Sequence, residues 1–266
     1  MPIVGDSMGQ TVVGALQRFG AAHRAAVRAE WAAAEATGLE LRIVDDGTLL
    51  LGAAPDAASA MFNRALGVAE RPDLLGSALA FFAEQGIDGS LTLDPADAPP
   101  AIEPRLRLDV HVGAPRDTKR STVEGLTVRA VDGDDDDVAS WMRVVIDANA
   151  PAAEVADLWR RMAPFMARTP DWFHLVGSLG GEIVAAGSLF VTDGVGWQSW
   201  ASVVPGARGR GIQRALIDAR SRLAADRGCD LVAAWAMAGA HSSANLELAG
   251  LERVGQRVIL RSSDFG

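Results

Sequence analysis

The chain of 266 residues contains a single cysteine and a single lysine, and it has no tyrosine. The lone cysteine, Cys229, excludes an intrachain disulfide and leaves no cysteine spacing typical of a zinc site. No apolar run approaches the roughly 20 residues that a helix needs to cross a bilayer. Because the N-terminus lacks a basic segment followed by an apolar core, we expect no secretory signal peptide. These absences predict a cytoplasmic protein with no metal ion.

The excess of acidic residues gives a net charge of −9. Phosphate backbones favour basic surfaces, so this charge argues against a nucleic-acid-binding protein. An acidic surface instead favours the approach of cationic small molecules such as amines. The run "DGDDDD" at residues 132–137 has neither the spacing nor the closing glutamate of a calcium-binding EF-hand loop. We interpret it as an acidic helix N-terminus that stabilises the helix dipole.

The first part of the chain begins with a helical pattern. Apolar residues at helical spacing predict a helix over residues 10–37, and a short hairpin follows at residues 41–51. A second helix is predicted over residues 72–85, ending at Gly86, and "SLTLDP" alternates like a strand. After a proline-rich loop, "RLRLDVHV" is predicted as a further strand. We place a domain boundary in the polar segment that follows, which gives domains 1–120 and 121–266.

The second part alternates between strand and helix patterns. The predicted order of its elements is β-α-α-β-β-β-α-β-α-β, with "GG" at residues 180–181 as a hairpin turn. The last long helix of this order has an amphipathic pattern typical of a helix that packs on a sheet. Its N-terminus directly follows the segment "VVPGARGRGIQRALI", which starts at Val203.

That segment predicts an anion-binding turn between a strand and a helix. Pro205 ends the strand because it cannot donate a ladder hydrogen bond. Gly209 and Gly211 permit positive φ and close approach of the backbone. The amides of residues 209–214 would then point into one concavity at a helix N-terminus, a geometry that suits a phosphate.

Three phosphate-binding motifs share features with this turn. A Walker loop requires Lys and Ser or Thr after its last glycine, where this chain has Ile212 and Gln213. A dinucleotide fingerprint requires a third glycine where Arg214 stands. The pattern V-x-P-x-x-R-G-x-G after a meander of strands resembles motif A of the GCN5-related N-acetyltransferases, the GNAT superfamily. The later segment "SSANLELAGLERVGQRVIL" resembles the Ser-x-x-Asn…Ala-Gly-Phe region of the same enzymes, with Leu251 in place of phenylalanine.

This resemblance implies a GNAT fold: a mixed α+β fold with a central, mostly antiparallel twisted sheet flanked by helices. It also implies binding of acetyl-CoA, whose pantetheine arm would contact the backbone of Val203 and Val204. The pyrophosphate and neighbouring groups would be held by the other residues of the two motifs. These residues are Arg208, Gly209, Arg210, Gly211, Ile212, Gln213, Arg214 and Asn245. Gln213 departs from the family's preference for glycine or alanine, so its side chain must point away from the phosphates or loosen that site.

The stretch "MFNRALGVAERPDLLGSALAFFAEQGI" in the first half resembles the degenerate N-terminal half of tandem GNAT proteins. It contains no glycine-arginine turn, so we assign it no coenzyme A. Two interpretations remain: this half shapes or covers the acceptor pocket, or it carries a second active site.

Acetyl transfer to an amine requires removal of a proton from the amine. An alkylamine with a pKa near 10.4 costs about 4 to 5 kcal/mol to deprotonate at pH 7, whereas the leaving thiol has a pKa of only about 8.5. Many GNAT enzymes use a tyrosine as the acid, but here Leu246 occupies roughly that place. Ser242 is the candidate to hydrogen-bond the sulfur, and His241 is the alternative. His174 is the candidate base because of its intrinsic pKa. The alternative for His174 is a buried strand histidine with a structural hydrogen bond.

The sequence as a whole therefore predicts an N-acetyltransferase that moves an acetyl group from acetyl-CoA to a primary amine of a small molecule. Transfer would occur by direct attack in a ternary complex. The alternative is a non-catalytic acyl-CoA-binding or regulatory protein on the same scaffold. We expect no nucleic-acid or membrane partner, and a monomer or a homodimer.

Overall fold

The computed structural model describes residues 5–57, 59–115 and 123–266, and side chains from residue 11 onward. The described helices are α1 (Gly5–Glu35), α2 (Leu75–Gln85), α3 (Asp135–Asn149), α4 (Ala153–Arg168), α5 (Ile212–Asp226) and α6 (His241–Leu248). The described strands are β1 (Arg42–Asp45), β2 (Leu50–Ala53), β3 (Arg64–Leu66), β4 (Ser90–Leu93), β5 (Leu106–Gly113), β6 (Leu126–Ala130), β7 (Trp172–Leu179), β8 (Glu182–Thr192), β9 (Val195–Val203), β10 (Leu231–Met237) and β11 (Glu252–Arg261). The fold is mixed α and β, and the element order predicted for the second half is confirmed. Among the described residues, no helix combines the length and apolar character that a membrane crossing requires.

Local sequence signals set several element ends. Gly86 ends α2 in the left-handed region, with φ 64°, as its position after the apolar pattern predicted. Gly180 and Gly181 form the turn between β7 and β8, with φ of 61° and 90°. Asp134 is the N-cap of α3, where its side chain accepts a hydrogen bond from the amide of Asp136. The interpretation of the acidic run as a helix N-terminus is therefore confirmed.

The described strands form one sheet in the order β1-β2-β3-β4-β11-β5-β10-β9-β8-β7-β6. β5 comes from the first 120 residues, yet it lies between β10 and β11 and pairs antiparallel with both. β4 continues the sheet on the other side of β11. The sheet therefore crosses the domain boundary predicted at residue 120, and that boundary stays a prediction. The sequence pattern did not indicate the three-residue strand β3.

Helices cover both faces of the sheet. α1, α3 and α4 pack on one face, where Trp31, Trp141 and Met162 are fully buried. α5 and α6 pack on the opposite face, with Ile217 and Leu246 in its core. α1 contacts β8, β9 and β11, so the first helix of the chain lies over the middle of the sheet. The start of α5 and the start of α6 both follow strands in this middle region.

Candidate functional site

The parallel strands β9 and β10 separate in the middle of the sheet. They pair only where Val195–Trp197 faces Leu231–Ala233, although both strands continue beyond, to Val203 and Met237. Beyond Trp197, β9 stays paired with β8 on its other edge, up to Val203. Separated carboxyl ends of parallel strands leave an opening where ligands of open sheets bind. We call this opening the β9–β10 crevice, bounded by residues 198–203 and 234–237.

At the end of β9, the backbone N–H of Val203 is directed toward the crevice. Val204 donates its amide to the carbonyl of Val184 on β8 at 3.0 Å. Because successive residues of a strand direct their polar groups to opposite edges, Val203 directs its own toward the crevice. The Val203 carbonyl accepts a hydrogen bond from Nε of Arg208 at 3.0 Å.

The turn after β9 ends in two glycines in the left-handed region. Gly209 has φ 76°, and Gly211, the N-cap of α5, has φ 79°. An L-residue would be strained at either position. Within the described part of the chain, the amides of residues 209–214 have no hydrogen-bond acceptor, and no side chain caps α5. Free amide donors and a helix dipole at one helix N-terminus are an arrangement that favours an anion.

The three arginines of the turn divide into two roles. Arg208 braces the turn, since Nη2 also donates to the carbonyl of Ala148 at 2.9 Å, beside the end of α3. Arg210 and Arg214 are exposed, and neither has an ion-pair partner among the residues described. They therefore add positive charge next to the free amides without being committed elsewhere.

Gln213 and Asn245 contact each other. The Asn245 side-chain amide donates to Oε1 of Gln213 at 2.8 Å, which links the first turn of α5 to α6. The side chain of Gln213 thus has a partner on the neighbouring helix, and its orientation relative to the phosphates stays a prediction.

α6 begins with two serines in different environments. Ser242 is half-buried, while Ser243 is buried and donates to Oδ2 of Asp109 at 3.0 Å. Ser243 Oγ also lies 3.2 Å from Nε2 of His111, which is fully buried. Asp109 and His111 alternate along β5, so their side chains share one face of the sheet. That alternation was visible in the sequence, but the contact with α6 was not.

Burial and hydrogen bonding oppose each other in this cluster. Burial raises the pKa of Asp109, but hydrogen bonds from Gln256 and Ser243 and the charge of Arg253 outweigh it, so the pKa is lowered. For His111, burial is the largest effect and lowers the pKa, against the charges of Asp109 and Glu247. The cluster is thus an aspartate beside a neutral imidazole at neutral pH.

His174 lies on β7, which β8 separates from β9. Its Nδ1 is 2.8 Å from the hydroxyl of Ser188, and its ring lies 4.0 Å from that of Trp141 and 5.7 Å from that of Trp172, centroid to centroid. Burial lowers the pKa of His174 to about 4. These contacts favour the structural alternative over the role of a base, which stays an untested prediction.

A β-bulge interrupts β9 beside the crevice. The register with β8 shifts so that Ala186 faces Ser202 whereas Ser188 faces Ser199, and Trp200 has φ 51°. A non-glycine residue in this region marks local strain. Simple alternation along the strand would place Trp197 and Trp200 on opposite faces, but the bulge adds one residue between them. Both indoles pack on the α1 side.

Residues from distant parts of the chain meet at Trp200. Its indole Nε1 donates to Oε1 of Glu30 on α1 at 2.8 Å. Nη2 of Arg64 on β3 donates to Oε2 of the same carboxylate at 3.2 Å. Burial raises the pKa of Glu30, against the charge of Arg64 and the hydrogen bond from Trp200. The stretch "MFNRALG", which includes Arg64, resembles tandem GNAT proteins, but the sequence carried no other signal for this group.

A groove between α3 and α4 lies outside the crevice, and the described residues offer no metal site. This groove of about 590 Å³ is lined by Val138, Met142, Ile146 and Pro164, with arginines at its rim, and it includes no residue of the turn. Among the described residues, no three histidine, cysteine, aspartate or glutamate side chains converge as a metal site requires.

Known proteins match this chain both in part of its sequence and in its fold. The family model described as the acetyltransferase (GNAT) family matches residues 138–246. A search of the curated proteins found no match. Among solved structures, a GCN5-related N-acetyltransferase from Kribbella flavida is similar with a TM-score of 0.59 and 17% identity, covering 86% of this chain and 95% of the other.

Two more solved structures share the fold. A GCN5-related N-acetyltransferase from Sphaerobacter thermophilus has a TM-score of 0.56 and 20% identity, covering 80% of each chain. A tandem GNAT protein from the clavulanic acid biosynthesis pathway has a TM-score of 0.53 and 16% identity, covering 80% of this chain and 78% of the other. The matched segment contains the crevice, the turn and most of α6. The chain is therefore similar to the acetyltransferase (GNAT) family over residues 138–246 and shares its fold with these solved structures.

Proposed function

We propose that this protein transfers an acetyl group from acetyl-CoA to a primary amine of a small molecule. The observation that carries the proposal is the set of free amides at residues 209–214, placed by Gly209 and Gly211 at the open end of β9. An anionic cosubstrate with an extended arm fits this arrangement, because its phosphates would meet the helix N-terminus while its arm follows the strand. The match of residues 138–246 to the acetyltransferase (GNAT) family model supports acyl transfer as the reaction class.

The residues predicted to hold acetyl-CoA have separate tasks in this proposal. The amides of residues 209–214 would hold the pyrophosphate, with charge from Arg210 and Arg214. Arg208 would act by bracing the turn through Val203 and Ala148. The N–H of Val203 would pair with the pantetheine arm, whereas the amide of Val204 is already bonded to Val184. Asn245 would hold α6 against α5 through Gln213.

The reaction forms a C–N bond and breaks the C–S bond of the thioester. A neutral amine nitrogen attacks the thioester carbonyl carbon, the thiolate leaves, and the proton lost by the nitrogen goes to solvent. Ser242, half-buried at the start of α6, is the proposed hydrogen-bond donor to the sulfur. Because a thiol has a pKa of only about 8.5, its anion leaves without a strong acid. This chemistry is compatible with a chain that has no tyrosine.

Titration calorimetry with acetyl-CoA, comparing two glycine substitutions, tests the binding part of the proposal. Gly211→Ala adds a methyl group at the N-cap of α5, beside the side chains of Val123 and Arg214, and strains a position with φ 79°. We expect its affinity for acetyl-CoA to fall at least about tenfold, which corresponds to about 1.4 kcal/mol. Gly228→Ala is the matched control, since Gly228 has φ 77° and similarly open surroundings at the other end of α5. Equal affinity in both variants, or no binding by the unaltered protein at millimolar acetyl-CoA, would contradict the proposal.

The alternative function is an acyl-CoA-binding protein without turnover. Two observations favour it: the chain has no tyrosine, and His174 is buried two strands from the crevice. Thiol release from acetyl-CoA, measured over a panel of small amines, separates the two functions. Release above the hydrolysis rate with at least one amine supports the enzyme. No release from a protein that binds acetyl-CoA supports the alternative.

A further inference from the structure

The buried carboxylate of Glu30 connects the first half of the chain to the crevice strand. Glu30 is 6% exposed and lies on α1, which packs over β9. One of its oxygens accepts from the Trp200 indole and the other from Arg64. An ionic pair removed from water gives little net stability, and replacing both partners with apolar residues is often neutral. Stability alone therefore does not explain why this pair is placed here.

Trp200 is the residue that this carboxylate holds. It occupies the strained bulge position of β9, next to the point where the strand leaves β10. Its ring is half-buried and meets the ring of Trp159 on α4 edge-on, with centroids 5.2 Å apart. Trp159 is also half-buried, so the two indoles form an aromatic wall on the α1 side of the sheet. The turn with its free amides belongs to α5, which covers the opposite face.

We propose that Glu30 is a positioning residue for the amine acceptor: it fixes the Trp200 indole, and the Trp200–Trp159 wall receives the amine-bearing part of the acceptor. This inference rests on the proposed function, whose acceptor must reach the crevice from the face that the turn does not occupy. An aromatic wall favours a cationic or apolar arm, since the ring face attracts an ammonium group and buries methylene groups. The first half of the chain thereby controls acceptor affinity without binding coenzyme A.

The test compares two ways of altering Glu30. Glu30→Gln keeps an oxygen that accepts from the indole, whereas the double variant Glu30→Leu/Arg64→Met removes the acceptor without leaving a buried unpaired arginine. A control double variant, Glu35→Leu/Arg28→Met, removes an exposed ion pair of 3.3 Å from the same helix. For each protein we would measure acetyl-CoA affinity, the KM and kcat for the best amine, and the indole N–H signal of Trp200 in ¹⁵N NMR spectra. Trp200→Phe assigns that signal by its loss.

We expect the Glu30→Leu/Arg64→Met variant to raise the KM for the amine at least about tenfold, while its acetyl-CoA affinity stays within about twofold of the unaltered protein. Its Trp200 indole signal should move, and Glu30→Gln and the control pair should leave KM and acetyl-CoA affinity near those of the unaltered protein. A Glu30→Leu/Arg64→Met variant that binds acetyl-CoA normally and keeps the amine KM would overturn the proposal. A Glu30→Gln variant whose amine KM rises as much as that of Glu30→Leu/Arg64→Met would also overturn it.

A second arm separates this inference from the proposed function. Amines of the panel are titrated into the unaltered protein with coenzyme A bound, and the Trp200 signal is followed. An amine that shifts this signal saturably, but releases no thiol from acetyl-CoA in the separate panel assay, supports the acceptor site and contradicts catalysis. If no amine shifts the signal, the proposal fails, whether or not transfer occurs.

Discussion

At the scale of single residues, the buried imidazole of His174 makes the stability of the protein depend on pH. Burial lowers the pKa of His174 to about 4, below the value near 6.5 of an unfolded histidine. Between these two values the unfolded chain takes up the proton and the folded chain does not. The stabilisation is therefore complete above pH 6.5 and is lost as the pH falls toward 4.

We predict that His174→Gln reduces this pH dependence. Between pH 7.5 and 4.5, the unaltered protein should lose about 2 to 3 kcal/mol of unfolding free energy through this group, at about 1.36 kcal/mol per pKa unit. The His174→Gln variant should lack this pH-dependent loss. The control variant His241→Gln, at an exposed histidine, should keep it. Urea unfolding at the two pH values measures the difference. Parallel losses in all three proteins would show that His174 titrates normally.

The residues of the site differ in how far the sequence could predict them. Gly209 and Gly211 were predictable because a left-handed backbone position leaves its own signature, a glycine. Glu30, Asp109 and Ser243 were not, because each acts through a partner more than 100 residues away, and nothing local to these residues indicates that partner.

At the scale of elements, the bulge of β9 is held by an arginine on the helix behind it. Arg220 on α5 is 2% exposed and donates to the carbonyls of Leu216, Ser188 and Ser199, the last at 3.2 Å. Burial lowers the pKa of Arg220 to about 9, so it is still protonated at neutral pH. Its charge-assisted hydrogen bonds satisfy carbonyls on both strands at the irregular register.

Replacing Arg220 with methionine should therefore destabilise the protein. Buried carbonyls left without a donor cost about 1 to 3 kcal/mol each, and removal of a buried charge offsets part of that cost, so we expect a net loss of about 2 kcal/mol. Arg222→Met is the control on the same helix, because Nη1 of Arg222 has no partner among the described residues. Guanidinium unfolding midpoints give the comparison. A midpoint for Arg220→Met equal to that of the control would refute the bracing role.

The elements themselves were largely readable from periodicity and turn residues, whereas the bulge was not. Alternation along "GWQSWASVV" describes a regular strand, and the extra residue sits at a tryptophan, a type that seldom adopts positive φ. Tertiary packing against Glu30 and Trp159 holds this conformation. Short β3 was missed for a related reason, since three residues are too few for a period to show.

At the scale of the whole molecule, the chain order and the sheet order diverge. The polar segment around residue 120 suggested a boundary between two domains. The sheet instead takes β5 from the first part and places it between β10 and β11 of the second. Sequence periodicity identifies a strand but not its neighbours, so this arrangement could not be predicted from local patterns.

The last prediction follows from the position of β5. A fragment of residues 121–266 would lack β5, leaving facing edges of β10 and β11 unpaired and removing Val110 and Val112 from the core. Unpaired edges inside a sheet favour aggregation, so this fragment alone should be insoluble or lack a cooperative transition. Co-expression with residues 1–120 should restore a soluble complex that binds acetyl-CoA, because β5 is supplied in trans. A fragment 121–266 that unfolds cooperatively and binds acetyl-CoA by itself would show instead that the boundary at residue 120 separates two independent domains.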